Sequence, residues 1–267
     1  MRGEASILVL VCALRREGVP FLRLVRERTR SVIDGCPTVR GHVDGTPVSV
    51  VLSGVGKERA QAAARLAIDR LHAHALLSIG FAGSASPAGR AGDLVLGDRV
   101  LRIGLGGDTE SQVESDRQWS SAVGGALRAK GIAAHRGALA TVPEALGPRA
   151  KGRVGEATGA VAVDMESYWV GEVADQAGVT FLAVRAISDE MDDALPAFHR
   201  FADGMGELRP AAALAYFATH PGQWRPTARL AAKVRLASES LSFLADVLFS
   251  QAGAPPARRS HGRFAAR

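Results

Sequence analysis

Residues 160–167 read Ala-Val-Ala-Val-Asp-Met-Glu-Ser, and residues 180–189 read Thr-Phe-Leu-Ala-Val-Arg-Ala-Ile-Ser-Asp. Each stretch is a short apolar run, rich in β-branched residues, that stops on an acidic residue. Runs of this length and composition predict strands buried on both faces. The residues between them, to about Gln176, suit a helix. A strand, a helix and a second strand make the crossover of a parallel sheet. Working outward, Ala5–Leu14, Val48–Leu52, Ala75–Ile79 and Ala138–Thr141 read as further strands, as do Asp93–Leu96 and Val100–Ile103. Glu58–Leu71 and Trp119–Lys130 read as helices. The expected fold is a single α/β domain with a central mixed, largely parallel sheet flanked by helices. Ligands of such sheets bind beyond the carboxyl ends of the strands. Here those ends carry Gly80-Phe81-Ala82-Gly83, Asp164-Met165-Glu166 and Ser188-Asp189.

The chain has 267 residues, 47% hydrophobic and 22% charged, which is the composition of a folded globular protein. No apolar run reaches the length of a membrane span. The Ala5–Leu14 run is followed directly by Arg15-Arg16-Glu17 and preceded by Glu4, so it reads as a buried strand rather than a signal peptide. The net charge of +6 suggests a polyanion partner until it is located. Residues 225–267 hold eight basic and two acidic groups, the whole excess, and residues 1–224 are neutral with 25 of each. A nucleic-acid enzyme would distribute basic residues around its cleft. This pattern speaks against nucleic acid as the partner.

The break His220-Pro-Gly-Gln-Trp-Arg-Pro226 divides the chain into a main domain (1–222), a basic amphipathic C-terminal helix (223–251) and a tail expected to lack order (252–267). In that helix Leu230, Val234, Ala237, Leu241, Leu244 and Leu248 recur at intervals of three or four, giving one apolar face.

Several motifs carry no chemistry. Gly54-Val55-Gly56-Lys57 is not a phosphate-binding P-loop, because Val51 stands where the first glycine belongs and Glu58 where a magnesium-holding hydroxyl belongs. His72 and His74, read as part of a helical stretch, point to different faces. No histidine or cysteine spacing suggests a metal site, and no cofactor is expected.

Three segments together resemble one family. Leu10–Glu17, Ser53–Lys57 with Ser78–Gly83, and Val163–Glu166 with Val184–Asp189 are similar to the nucleoside phosphorylase/nucleosidase superfamily, a resemblance spanning about residues 7–205. Phosphorylases of this family carry a glycine- and arginine-containing phosphate loop after the first strand. Cys12-Ala-Leu-Arg-Arg-Glu17 instead resembles the methylthioadenosine/S-adenosylhomocysteine nucleosidases, whose acidic residue positions water. The resemblance is closer still to hopanoid-associated members that cleave adenosylhopane. It rests on Gly92-Asp-Leu-Val95, Ala160–Ser167, Ala194-Leu-Pro196 and the His220-Pro-Gly-Gln223 break before a basic helix.

The resemblance implies cleavage of a purine from ribose through an oxocarbenium-like sugar. It implies Asp189 as the acid that protonates the base and Glu17 as the base that activates water. Burial at a strand end favours the protonated form of such an acid. Ser188 orients Asp189, Glu166 accepts hydrogen bonds from the ribose hydroxyls, Met165 packs on the ribose, and Arg185 holds the acidic residues. Phe81, Ala82 and Gly83 flank the sugar side, and Phe198 touches the base or the 5′ side. Two features depart from the family. Phe81 replaces a small polar residue, and Thr141-Val-Pro-Glu-Ala-Leu146 lacks the expected base-stacking aromatic near 145. The implied partner is a nucleoside, free or lipid-linked, with hydrolysis of methylthioadenosine or S-adenosylhomocysteine, or phosphate-dependent phosphorolysis of a purine nucleoside, as the alternatives to adenosylhopane cleavage. The implied assembly is a cytoplasmic homodimer whose basic helix either touches the inner membrane surface or packs on the domain or a partner subunit.

Overall fold

The computed structural model describes residues 7–194, 219–220, 222, 224–250 and 253–256. In chain order these form β1 (Ile7–Cys12), α1 (Arg15–Leu24), β2 (Arg26–Ile33), β3 (Cys36–Val43), β4 (Thr46–Leu52), α2 (Lys57–Asp69), β5 (Ala73–Ser84), β6 (Leu94–Ile103) and β7 (Thr109–Glu114). There follow α3 (Arg117–Ala129), β8 (Ala134–Thr141), α4 (Pro148–Thr158), β9 (Ala160–Asp164), α5 (Ser167–Gln176), β10 (Thr180–Asp189) and α6 (Trp224–Leu248).

All ten strands belong to one mixed sheet. The strands β5, β10, β6, β8 and β9 pair in turn and close into a ring, because β9 pairs back onto the end of β5. From β5 the sheet runs on through β1, β4, β3 and β2. Long β5 makes this possible: its first half pairs with β1, while Gly83 and Ser84 pair with β9. The parallel pairings, β1 with β4 and β5, β5 with β10, and β8 with β6 and β9, bring several strand ends to one side.

The pleat sorts side chains between two apolar layers. Val9 and Val11 of β1 face the layer built on α2 and α5, while Leu8, Leu10 and Cys12 face the layer built on α1, α3 and α6. Strand β10 divides the same way, with Phe181, Ala183 and Ile187 on one face and Leu182, Val184 and Ala186 on the other. A strand buried on both faces must be apolar at every position, which is why these runs stand out in the sequence.

The structure differs from the sequence reading in instructive places. Asp93–Leu96 and Val100–Ile103 are one strand, β6, which crosses the polar Asp98-Arg99 step by a register shift between Gly97 and Arg99. The glycine-rich end of β5 stays in the strand. His74 lies on β5, not in a helix, with its Nδ1 2.8 Å from the carbonyl of Ile7. The hairpin β2–β3, strand β7 and helices α1 and α4 were not expected. Strand β2 is mostly exposed and charged, so it carries no apolar pattern. Lys57 is engaged with the ring of Trp169, 4.6 Å from its centroid, not with a phosphate loop.

Helix α6 is part of the domain's core. Ala237, Leu241, Leu244, Ala245, Val247 and Leu248 are buried in the layer that also contains Phe21 and Trp119. Burying each of the three leucines contributes roughly 1.5–3 kcal/mol. Its outward face keeps Arg225, Arg229 and Arg235 in solvent, together with Trp224, Leu236 and Phe243.

Candidate active site

The carboxyl ends of β1, β4, β5, β8, β9 and β10 surround a cavity of about 290 Å³. Of the residues singled out in the sequence, Glu17, Phe81, Ala82, Gly83, Met165, Glu166, Ser188 and Asp189 all line it. Phe198 lies outside the described residues.

Glu17 sits in the first turn of α1. Its Oε2 accepts from the backbone N–H of Leu14 at 2.7 Å, the acidic half of a capping box. Its Oε1 accepts from the N–H of Phe81 at 2.8 Å. Gly80 makes room for this contact, since a Cβ there would lie 2.8 Å from Oε1. The carboxyl is buried, and desolvation raises its pKa despite these two N–H donors and the charge of Arg185. A carboxyl of raised pKa is a better proton acceptor, as a general base must be.

Glu166 stands at the start of α5, and its Oε1 accepts from Gly56 N–H at 2.9 Å. The enclosing walls and the neighbouring Asp164 push its pKa up to about 8, against the opposing pull of Arg185 and Gly56. Asp164 is a structural anchor. Its Oδ1 accepts from Thr141 Oγ1 at 2.6 Å, its Oδ2 accepts from Arg185 Nε at 2.6 Å, and both oxygens lie 3.3 Å from Ser167 N–H. Arg185 also donates to Ser78 Oγ at 3.0 Å. Its side chain is buried behind the cavity and forms none of its wall, so its expected place among the substrate-contacting residues is corrected. The guanidinium is spent on protein acceptors, Asp164 through Nε, Ser78 Oγ and the carbonyl of Val184, rather than turned to the cavity.

Asp189 ends β10. Ser188 Oγ donates to its Oδ1 at 3.0 Å, as the orienting role requires. A partner that the sequence did not suggest also reaches it: Lys151 Nζ lies 2.6 Å from Oδ2. Lys151 is itself buried, and also donates to the carbonyls of Glu190 at 2.6 Å and Asp193 at 3.2 Å. Gly83 is the space-maker here, since a Cβ on it would meet Asp189 Oδ2 at 2.7 Å and Lys151 Cδ at 3.1 Å. Gly80 and Gly83 are spaced along β5 by about 10 Å at the usual strand rise.

Lys151 and Asp164 also line the cavity, and most of the remaining wall is apolar: Leu14, Val55, Val142, Ala145 and Leu146, with Leu230 and Val234 from α6. Ala145 and Leu146 occupy the place where an aromatic was expected. Arg16 lines the mouth. Sequence reasoning assigned no site role to Lys151, Asp164, Leu230 or Val234. Asp164 was visible inside the quoted motif, but nothing in the sequence marks Lys151, which follows a proline at a helix start. Among the described residues no group of three or more His, Cys, Asp or Glu side chains is disposed to hold a metal ion.

The chain is 27% identical over 198 residues to a 5′-methylthioadenosine/S-adenosylhomocysteine nucleosidase of Geobacillus thermodenitrificans, covering 67% of this chain and 82% of that protein. Its fold is similar to that of the Neisseria meningitidis 5′-methylthioadenosine/S-adenosylhomocysteine nucleosidase in complex with methylthio-immucillin-A. There the TM-score is 0.72 and the identity 16%, covering 92% of this chain and 99% of that one. It is also similar to the futalosine hydrolase of Helicobacter pylori, with a TM-score of 0.64, 21% identity and coverage of 70% and 88%. The profile of the phosphorylase superfamily matches residues 7–217, and the chain belongs to that family.

Proposed function

We propose that this protein is a purine nucleosidase that hydrolyses the N-glycosidic bond of a 5′-substituted adenosine, and that its substrate is adenosylhopane. The observation that carries the hydrolytic reading is the placement of Glu17 and Asp189 in one cavity, each held by directed hydrogen bonds. In this reading Asp189 gives a proton to the departing base while Glu17 takes one from water at the anomeric carbon. Glu166 accepts hydrogen bonds from the ribose hydroxyls and so fixes the sugar in the cavity. Met165 packs on the ribose. A buried carboxyl at position 17 occupies ground that a phosphorylase gives to phosphate, and would repel that anion. This supports water as the acceptor.

The lipid-linked substrate is supported by α6. Leu230 and Val234 extend the cavity's apolar wall on to the helix, whose outward face carries Trp224, Leu236 and Phe243 among arginines. An apolar 5′ chain leaving the cavity along that helix would meet apolar side chains. The same face is the part that would touch an anionic membrane surface on the cytoplasmic side. A second reading, methylthioadenosine or S-adenosylhomocysteine as substrate, is favoured by the small cavity and by the relatives' printed activities. The test is adenine release from adenosylhopane, methylthioadenosine and S-adenosylhomocysteine at equal concentration. Preference for adenosylhopane supports the first reading, and preference for either soluble nucleoside replaces it with the second.

A further inference from the structure

Lys151 is a full-length cation buried beside the reacting carboxyl, and the reaction scheme above leaves it without a part. Its three donors are matched by three acceptors: Asp189 Oδ2, and the carbonyls of Glu190 and Asp193. That satisfies an ammonium completely. The charged groups facing it are the Asp189 carboxylate and, a little further out, Asp193, whose own carboxylate is paired with Lys233 of α6 at 2.6 Å. Glu190 shares Lys233 at 3.0 Å. Two lysines therefore hold the segment after β10. Lys233 takes its side-chain carboxylates from outside, and Lys151 takes its carbonyls and Asp189 from within. The carbonyl contacts alone could be met by any donor. The contact with Asp189 requires a cation to be matched, and no other cationic side chain lies within ion-pair distance of that carboxyl among the described residues.

We infer that Lys151 is a positioning residue for Asp189, fixing its orientation and supplying the counter-charge for the carboxylate left when the base takes its proton. This rests on the nucleosidase reading. In this scheme the reacting form of Asp189 is the acid, which donates to the base nitrogen set against it. When the bond from C1′ to the base nitrogen breaks, its electron pair goes to the base, and the proton passes from Asp189 to a base nitrogen. Water adds to C1′ and gives its proton to Glu17. Asp189 ends as a carboxylate facing an ammonium already in place, and a preorganised charge of this kind lowers the barrier because nothing must reorganise. Lys151 keeps its own protons throughout.

The role depends on the leaving group, which separates it from a purely structural one. Lys151→Met is compared with the wild type on methylthioadenosine, whose base needs a proton to leave, and on 4-nitrophenyl riboside, whose phenolate leaves without one. Expected is a fall in kcat of about 100-fold on the nucleoside, in the range for loss of acid assistance, with the aryl riboside within about threefold. Equal loss on both substrates, or no loss on either, overturns the role. Lys151→Gln, which keeps a donor without the charge, is read by the same criteria if the methionine variant does not fold. Failure of the wild type to cleave any purine nucleoside overturns the nucleosidase reading itself, and the role of Lys151 with it.

Discussion

Arg185 Nε lies 2.6 Å from Asp164 Oδ2, with both side chains buried, so the middle of β10, four residues before Asp189, is tied to the end of β9. Strand β10 carries Asp189 and β9 leads into Glu166. The pair is thus the frame on which the proposed acid, Asp189, and the proposed ribose-binding carboxyl, Glu166, are mounted. Removing one partner of a buried ion pair leaves a charge that nothing compensates. Arg185→Met is therefore expected to cost about 3–5 kcal/mol of stability, read from the midpoint of urea unfolding. Adding Asp164→Asn should recover part of that loss. A single variant as stable as the wild type would contradict the anchoring role.

Glu17 is expected to matter for turnover far more than for binding. Glu17→Gln keeps an oxygen to accept from Leu14 or Phe81 but cannot take a proton. Turnover should fall by about 100-fold or more, while the affinity for a non-cleavable nucleoside analogue stays within a few-fold. Loss of affinity equal to the loss of rate would make Glu17 a binding group only.

The raised pKa values of Glu17 and Glu166 fix the sign of a stability profile. Both carboxyls hold protons in the folded chain at pH values where the unfolded chain has released them. For Glu166 that window runs from its ordinary 4.5 to about 8. The native state binds more protons across it, so stability is greatest below the window and falls as pH rises through it. Unfolding measured at pH 5, 7 and 9 should show this decline, and Glu166→Gln should flatten it. A profile that rises with pH, or one unchanged by the substitution, would refute the assignment.

The proposed substrate reading gives helix α6 two separable duties, core packing and selection of the 5′ group. Leu241→Ala, in the buried face, should cost about 2–5 kcal/mol. Val234→Asp, at the cavity rim, should change stability by about 1 kcal/mol or less, yet slow cleavage of adenosines with long alkyl 5′ groups more than that of methylthioadenosine. Equal slowing would remove α6 from substrate selection.

These residues also show where the sequence was readable. Strands β1, β5 and β10 are buried on both faces, so their apolar runs were unmistakable, and the acids at their ends were found with them. The β2–β3 hairpin was missed because its outer strand is exposed and charged, with Arg26, Glu27, Arg28 and Arg30 among its first five residues. Helix α1 was hidden for a different reason: the residues that start it, Arg15 to Glu17, look like a charged loop. Lys151 could not have been found, because its meaning lies in an approach to Asp189 across 38 residues of chain. The amphipathic pattern of α6 was legible, but periodicity gives a face and not what covers it. The charge excess pointed outward to a membrane, whereas the apolar face turned inward to the core and the cavity.

The central claim is that water, held by Glu17, is the acceptor of the sugar. It is tested by cleaving methylthioadenosine in ¹⁸O-labelled water, with and without inorganic phosphate, and analysing the sugar product by mass spectrometry. The account predicts adenine release at the same rate in both conditions, with one labelled oxygen on the freed sugar. Release that requires phosphate and yields a sugar 1-phosphate would contradict it.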